Sequence, residues 1–188
     1  MFEQPFSPEE LSRLVQRSKE GDTEAFGAIY DGYLTPVYRY VVFRFPEELA
    51  EDLVADIFVR AWEKMHTYTA YRGIPFSAWL FRIARHALID AYRTQRGFEE
   101  ISEDIQDEDT WNDPHQSTER ALTVATVRRA LSRMPAYYRD ILLLHYVSGL
   151  SHREVANSLG ITEGFVRVLK HRALKKLEAY LPPPEPRP

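Results

Sequence analysis

Apolar residues along this chain recur every three or four positions rather than every second one, which is the spacing of helices and not of strands. Ser7-Pro8-Glu9-Glu10 joins an N-cap, a proline at the first helical position and a capping-box glutamate. It starts a helix carrying Leu11, Leu14 and Val15, stopped at Gly21. Asp22 caps a second helix, with Phe26, Ile29, Tyr30, Tyr33 and Val37 at helical spacing. A third is predicted over residues 46–65. Leu49, Leu53, Ile57 and Ala61 make one apolar row, Val54, Phe58 and Trp62 a neighbouring one, and Asp52, Asp56, Arg60 and Glu63 the polar side. Residues 68–75 break the pattern and read as a loop. Helical spacing then resumes over 76–93, with Trp79, Leu80, Ile83, Ala87 and Leu88 inward and the arginines largely outward.

Residues 97–117 lack helical periodicity, and beyond them come helices near 119–133 and 135–147, a short helix, a turn and a long helix. Pro182-Pro183-Pro184 closes the last one, because a proline run cannot continue a helix. The predicted fold class is all-α: two small helical domains, 1–96 and 118–181, joined by a flexible acidic linker, 97–117, with a proline-rich tail, 182–188. The C-terminal domain contains a helix-turn-helix. Ser151-His152-Arg153-Glu154 is a second capping box, Gly160 supplies the positive φ of a tight turn, and Thr162 caps the next helix. Val155, Ala156, Leu159, Ile161, Val166 and Leu169 take the positions of the motif's core. With Val166, Leu169, Ala173 and Leu177 inward, Val168, His171 and Lys175 point outward, flanked by Arg167 and Arg172. Guanidinium and imidazole suit base edges and phosphates, and valine suits a thymine methyl.

Charge sharpens this picture. The 188 residues carry a net charge of −4, which by itself argues against a nucleic-acid partner. The acids are concentrated, however, at Glu99, Glu100, Glu103, Asp104, Asp107, Glu108, Asp109 and Asp113, and the rest of the chain is net positive. Arg72, Arg82, Arg85, Arg93 and Arg96 face only Asp90 in their stretch. Arg167, Lys170, Arg172, Lys175 and Lys176 face only Glu163 in theirs. Two basic segments flank an acidic one, and the whole-chain balance hides both. The loop before the first basic helix carries Tyr68, Tyr71 and Arg72, chemistry suited to unstacked bases. Arg82, Arg85 and Arg93 have no evident internal partner and suit phosphates.

Other function classes recede. With 44% hydrophobic residues the chain can build a core, and the absence of cysteine rules out disulfides and thiolate chemistry and fits a reducing cytoplasm. No run approaches the roughly 18 apolar residues of a membrane span, and residues 1–10 do not form a signal peptide. The six histidines show no metal-ligand pairing, and neither a phosphate loop nor a nucleophile elbow occurs, so no catalytic residue, metal or cofactor is expected.

Four passages carry a resemblance: Ala50–Trp62, Phe76–Arg85 with Asp90 and Arg93, Met134–Leu144, and the helix-turn-helix. Together they resemble the extracytoplasmic-function sigma factors of bacterial RNA polymerase, the shortest type in the sigma-seventy superfamily. The resemblance implies a non-enzymatic subunit that binds core RNA polymerase through the helix of Asp52, Asp56 and Arg60. It implies −10 promoter contacts by the helix carrying Arg82, Arg85, His86, Asp90 and Arg93, and −35 contacts by the last helix. An anti-sigma partner is implied as well. The chain departs from the family at His86, where asparagine is common, and at Val168-Leu169, where serine and arginine often stand. Two other classes fit some of the residues: a stand-alone helix-turn-helix regulator binding as a dimer, and a helical adaptor. The first needs a dimerisation domain, and the second leaves the basic face without a purpose.

Overall fold

A computed structural model describes residues 5–69, 73–99 and 118–182, and every regular element among them is helical. The N-terminal part holds α1 (Pro8–Lys19), α2 (Thr23–Val42), α3 (Glu47–Glu63), a short 3₁₀ turn (Met65–Thr67) and α4 (Phe76–Glu99). The C-terminal part holds α5 (Thr118–Ser132), α6 (Ala136–Leu142), α7 (His152–Leu159) and α8 (Glu163–Tyr180). The expected 135–147 helix is one α segment followed by a π-helical turn, Leu143–Val147. The amide of Ser148 donates to the Leu143 carbonyl at 2.9 Å and that of Leu150 to Leu144 at 2.9 Å, closing the wider turn.

Local chemistry sets the element ends. The Ser7 hydroxyl accepts from the Glu10 amide and the Asp22 carboxylate from the Ala25 amide, so both caps sit where the sequence puts them. The second helix runs on through Pro36 to Val42, because Ala25, Ile29, Tyr33, Val37, Tyr40 and Val41 form one continuous buried stripe. Ile29, Val37, Tyr40 and Val41 are 0% exposed. Each of the aliphatic ones, Ile29, Val37 and Val41, stabilises the fold by roughly 1.5–3 kcal/mol relative to exposure. Ile57 and Ala61 of α3 and Leu80, Ala84 and Leu88 of α4 complete this core. Leu49, assigned to an apolar row, is instead 38% exposed near the start of α3. The fourth helix continues to Glu99, into the segment expected to be linker; residues 100–117 lie outside the described residues.

The two parts pack against each other, chiefly through α4 on α7 and α2 on the π turn. Polar contacts reinforce an apolar core that the two parts share. Asp140 of α6, 3% exposed in its side chain, accepts from Arg85 Nε of α4 at 2.8 Å and meets the buried guanidinium of Arg44 between α2 and α3. Arg44 also lies 4.5 Å over the Tyr40 ring. Ser77 donates to Glu154, Arg82 to the Asn157 carbonyl, and Ser158 to the Ala78 carbonyl at 3.2 Å.

Candidate nucleic-acid and polymerase interfaces

The helix-turn-helix is built from its caps inward. Ser151 and Glu154 cap each other's backbone reciprocally at the start of α7. Gly160 ends that helix at φ 70°, ψ 35°, a left-handed conformation open to glycine without strain. The Ile161 amide then reaches back to the Ala156 carbonyl at 3.0 Å, and Thr162 accepts from the Phe165 amide at 3.3 Å. Val155 and Ala156 of α7 meet Val166, Leu169 and Ala173 of α8 in the buried seam. The outward face of α8 therefore holds Arg167, Val168, His171, Arg172 and Lys175, all exposed. Arg167 is tied to Glu163 one turn earlier, at 2.5 Å.

The first basic helix is arranged differently. Arg93 and His86 are exposed, and partial burial beside Arg85 and Arg82 lowers the His86 pKa. Arg82 and Arg85, expected to lack internal partners, have them: the Asn157 carbonyl and the Asp140 carboxylate. These acceptors lie 75 and 55 residues away along the chain, beyond the reach of local spacing. Tyr68 is 7% exposed, donates to the Ile74 carbonyl at 3.1 Å and packs on Phe76 and Trp79, so it covers the core. Tyr71 and Arg72 lie outside the described residues.

On α3, Asp52 is exposed, and Asp56, Arg60 and Asp90 form one chain of charges. Arg60 Nε lies 2.9 Å from Asp56 and Nη1 2.7 Å from Asp90. The Arg60 hydrogen bond holds the Asp90 carboxyl below its usual range. The structure thus unites residues the sequence assigned to polymerase with one assigned to the promoter. They rim a groove of about 380 Å³ between α3 and α4, floored by Leu49, Leu53, Ala87 and Ala91.

One cluster escaped the sequence reading. Lys170 Nζ lies 2.8 Å from His152 Nε2 and 3.3 Å from His145 Nε2, with the two imidazoles stacked at 4.6 Å. His145 Nδ1 contacts the Leu150 carbonyl at 2.7 Å, so it carries the proton and leaves Nε2 free to accept from the ammonium. Desolvation and Lys170 lower the His152 pKa. Sequence spacing does not group them, since Lys170 stands 25 residues from His145 and 18 from His152.

Residues 29–98 match the model for sigma-70 region 2, and residues 125–177 the model for sigma-70 region 4. The chain is 33% identical to the ECF RNA polymerase sigma factor BldN of Streptomyces coelicolor, over 92% of its own length and 66% of that relative. It is 30% identical to the sigma factor CnrH of Cupriavidus metallidurans, over 93% of this chain and 96% of CnrH. CnrH in complex with the cytosolic domain of CnrY superposes with a TM-score of 0.67 at 28% identity, covering 88% of this chain and 93% of that one. The sigma factor RpoE bound to the anti-sigma factor NepR from Bartonella quintana shares the fold, with a TM-score of 0.62 at 22% identity over 92% and 94%. The chain belongs to the sigma-70 family, as an extracytoplasmic-function sigma factor. It is a non-enzymatic DNA-binding subunit that works with core RNA polymerase in promoter-specific transcription initiation. No described helix is long and apolar enough to cross a membrane.

Proposed function

We propose that residues 1–96 and 118–181 act as two promoter-binding units in the cytoplasm, with α8 reading the −35 element. The observation that carries this is the outward face of α8, where Val168, His171, Arg172 and Lys175 stand exposed opposite a buried seam. In this reading Arg167 and His171 read bases, Val168 makes apolar contact, and Arg172 and Lys175 hold phosphates. Arg72, Arg82, Arg85, Arg93, His86 and Asp90, with Tyr71, serve the −10 element, and the acidic segment 97–117 tethers the units. Arg82 and Arg85 reach DNA only after leaving the Asn157 carbonyl and Asp140, so the isolated chain binds promoters weakly. Asp52, Asp56 and Arg60 dock a basic surface of the polymerase. An anti-sigma factor is a further partner, by analogy with the RpoE complex.

The test is a reconstituted run-off assay. With core polymerase the chain gives abundant transcripts from a specific start site, while alone it shifts the same duplex poorly. Tight sequence-specific binding by the chain alone would favour the regulator instead. Asp52→Arg with Asp56→Arg should weaken polymerase pull-down with helicity unchanged, since like charges then oppose the partner. Unchanged pull-down overturns the docking assignment.

A further inference from the structure

The outward face of α8 carries two large apolar side chains that the fold leaves open. Phe165 is 46% and Val168 47% exposed, and a spacing of three places them side by side on the helix. Gly164 precedes them, exposed, and a Cβ built there meets nothing within 4 Å. Glycine weakens a helix relative to alanine, so internal packing gives no reason for it here. Its effect is to leave the backbone bare on the leading edge of the helix.

At helical steps of about 100°, Gly164, Phe165, His171, Arg172 and Lys175 all fall within about 60° of Val168. Arg167 lies about 100° round, in its ion pair with Glu163. The face is therefore apolar near its start, at Phe165 and Val168, and cationic further along. Cations on the same face favour an anionic occupant, and the apolar feature a DNA major groove offers is the thymine C5 methyl. Residues early in a recognition helix are also those that reach base edges.

We infer that Phe165 and Val168 form a methyl-reading pair that seats on thymine C5 methyls of the upstream promoter element, with Gly164 allowing the first turn of α8 to approach closely. This rests on the reading of α8 as the promoter-recognition helix and adds Phe165 and Gly164 to it.

Deoxyuridine tests it, since it pairs as thymine does and lacks only the methyl. The full chain with core polymerase first selects active templates from a library randomised in the upstream element. Each thymine there, on either strand, is then replaced by deoxyuridine, and run-off transcript is measured under limiting holoenzyme. Transcript should fall about fourfold for each methyl contacted, the worth of one buried methyl-sized group. Phe165→Ala and Val168→Ala should each transcribe thymine and uracil templates alike at one position, while Arg172→Ala keeps the full thymine preference. A selected element without thymine overturns the proposal. So does equal output from thymine and uracil templates with the unmutated chain, although in that case dependence on the upstream element leaves the role of α8 standing. Output indifferent to randomisation of the element overturns that role too.

Discussion

The two basic helices, α4 and α8, look alike in sequence and are used in opposite ways by the fold. On α8 the cationic face is open, and its ion pair, Arg167 with Glu163, is local. On α4, Ser77, Arg82 and Arg85 are turned onto the C-terminal part, where Glu154, the Asn157 carbonyl and Asp140 receive them. A run of arginines beside few acids identifies a face that needs an anionic or carbonyl partner. It does not say whether that partner is a phosphate or another part of the same chain.

The sharpest way to break this comparison is at Asp140. Asp140→Ala leaves Arg44, 8% exposed, without its counter-charge, and should cost about 3–5 kcal/mol in denaturant unfolding. Lys175→Ala on the open face should stay within about 0.5 kcal/mol. Equal, small losses at both positions would mean the α4 face is not an interface. Next in size are the α8 base readers. In promoter selection Arg167→Ala or His171→Ala should cost about 1–3 kcal/mol and relax one position, whereas Lys175→Ala should weaken all sequences alike and lower the salt slope by about one. The inverse pattern would exchange their roles. Arg85→Ala should cost about 1–2 kcal/mol of stability, less than Asp140→Ala, because Asp140 keeps Arg44.

The smallest effect is one of pH. Burial first, then Lys170, His145 and Arg167, lower the His152 pKa below its usual 6.5, with Glu163 opposing them. The folded state therefore prefers the neutral ring. That contribution is complete above the unfolded value and is lost as pH falls through the lower folded one. Unfolding midpoints compared at pH 7 and pH 5 should show a drop that His152→Asn reduces. An identical drop in both proteins would remove His152 as its source.

What the sequence made legible was whatever depends on neighbours along the chain. The caps at Ser7, Asp22, Ser151 and Thr162, the turn at Gly160 and the inward set Val166, Leu169 and Ala173 stand as their spacing indicates. What it hid depends on distant partners. Arg44 sits in the apolar run Phe43-Arg44-Phe45, and Asp140 follows Arg139 between Tyr137-Tyr138 and Ile141-Leu142. A charge inside an apolar stretch signals a buried pair, but nothing local names the mate. Phe165 is marked only by the fold: its spacing does not separate an outward aromatic from a core one, and its exposure on the outer face does.

The cluster of Arg44, Arg85 and Asp140 has a consequence for how concentration is sensed. For any partner that requires the two parts of the chain separated, the apparent dissociation constant is the intrinsic one divided by the fraction of molecules already open. A tenfold shift toward the closed form then demands tenfold more of that partner for the same occupancy. Asp140 is 2% exposed as a residue, so solvent-borne ligands scarcely touch it. Its charge nonetheless enters the occupancy of every surface that closure covers, and a single substitution there rescales those responses together.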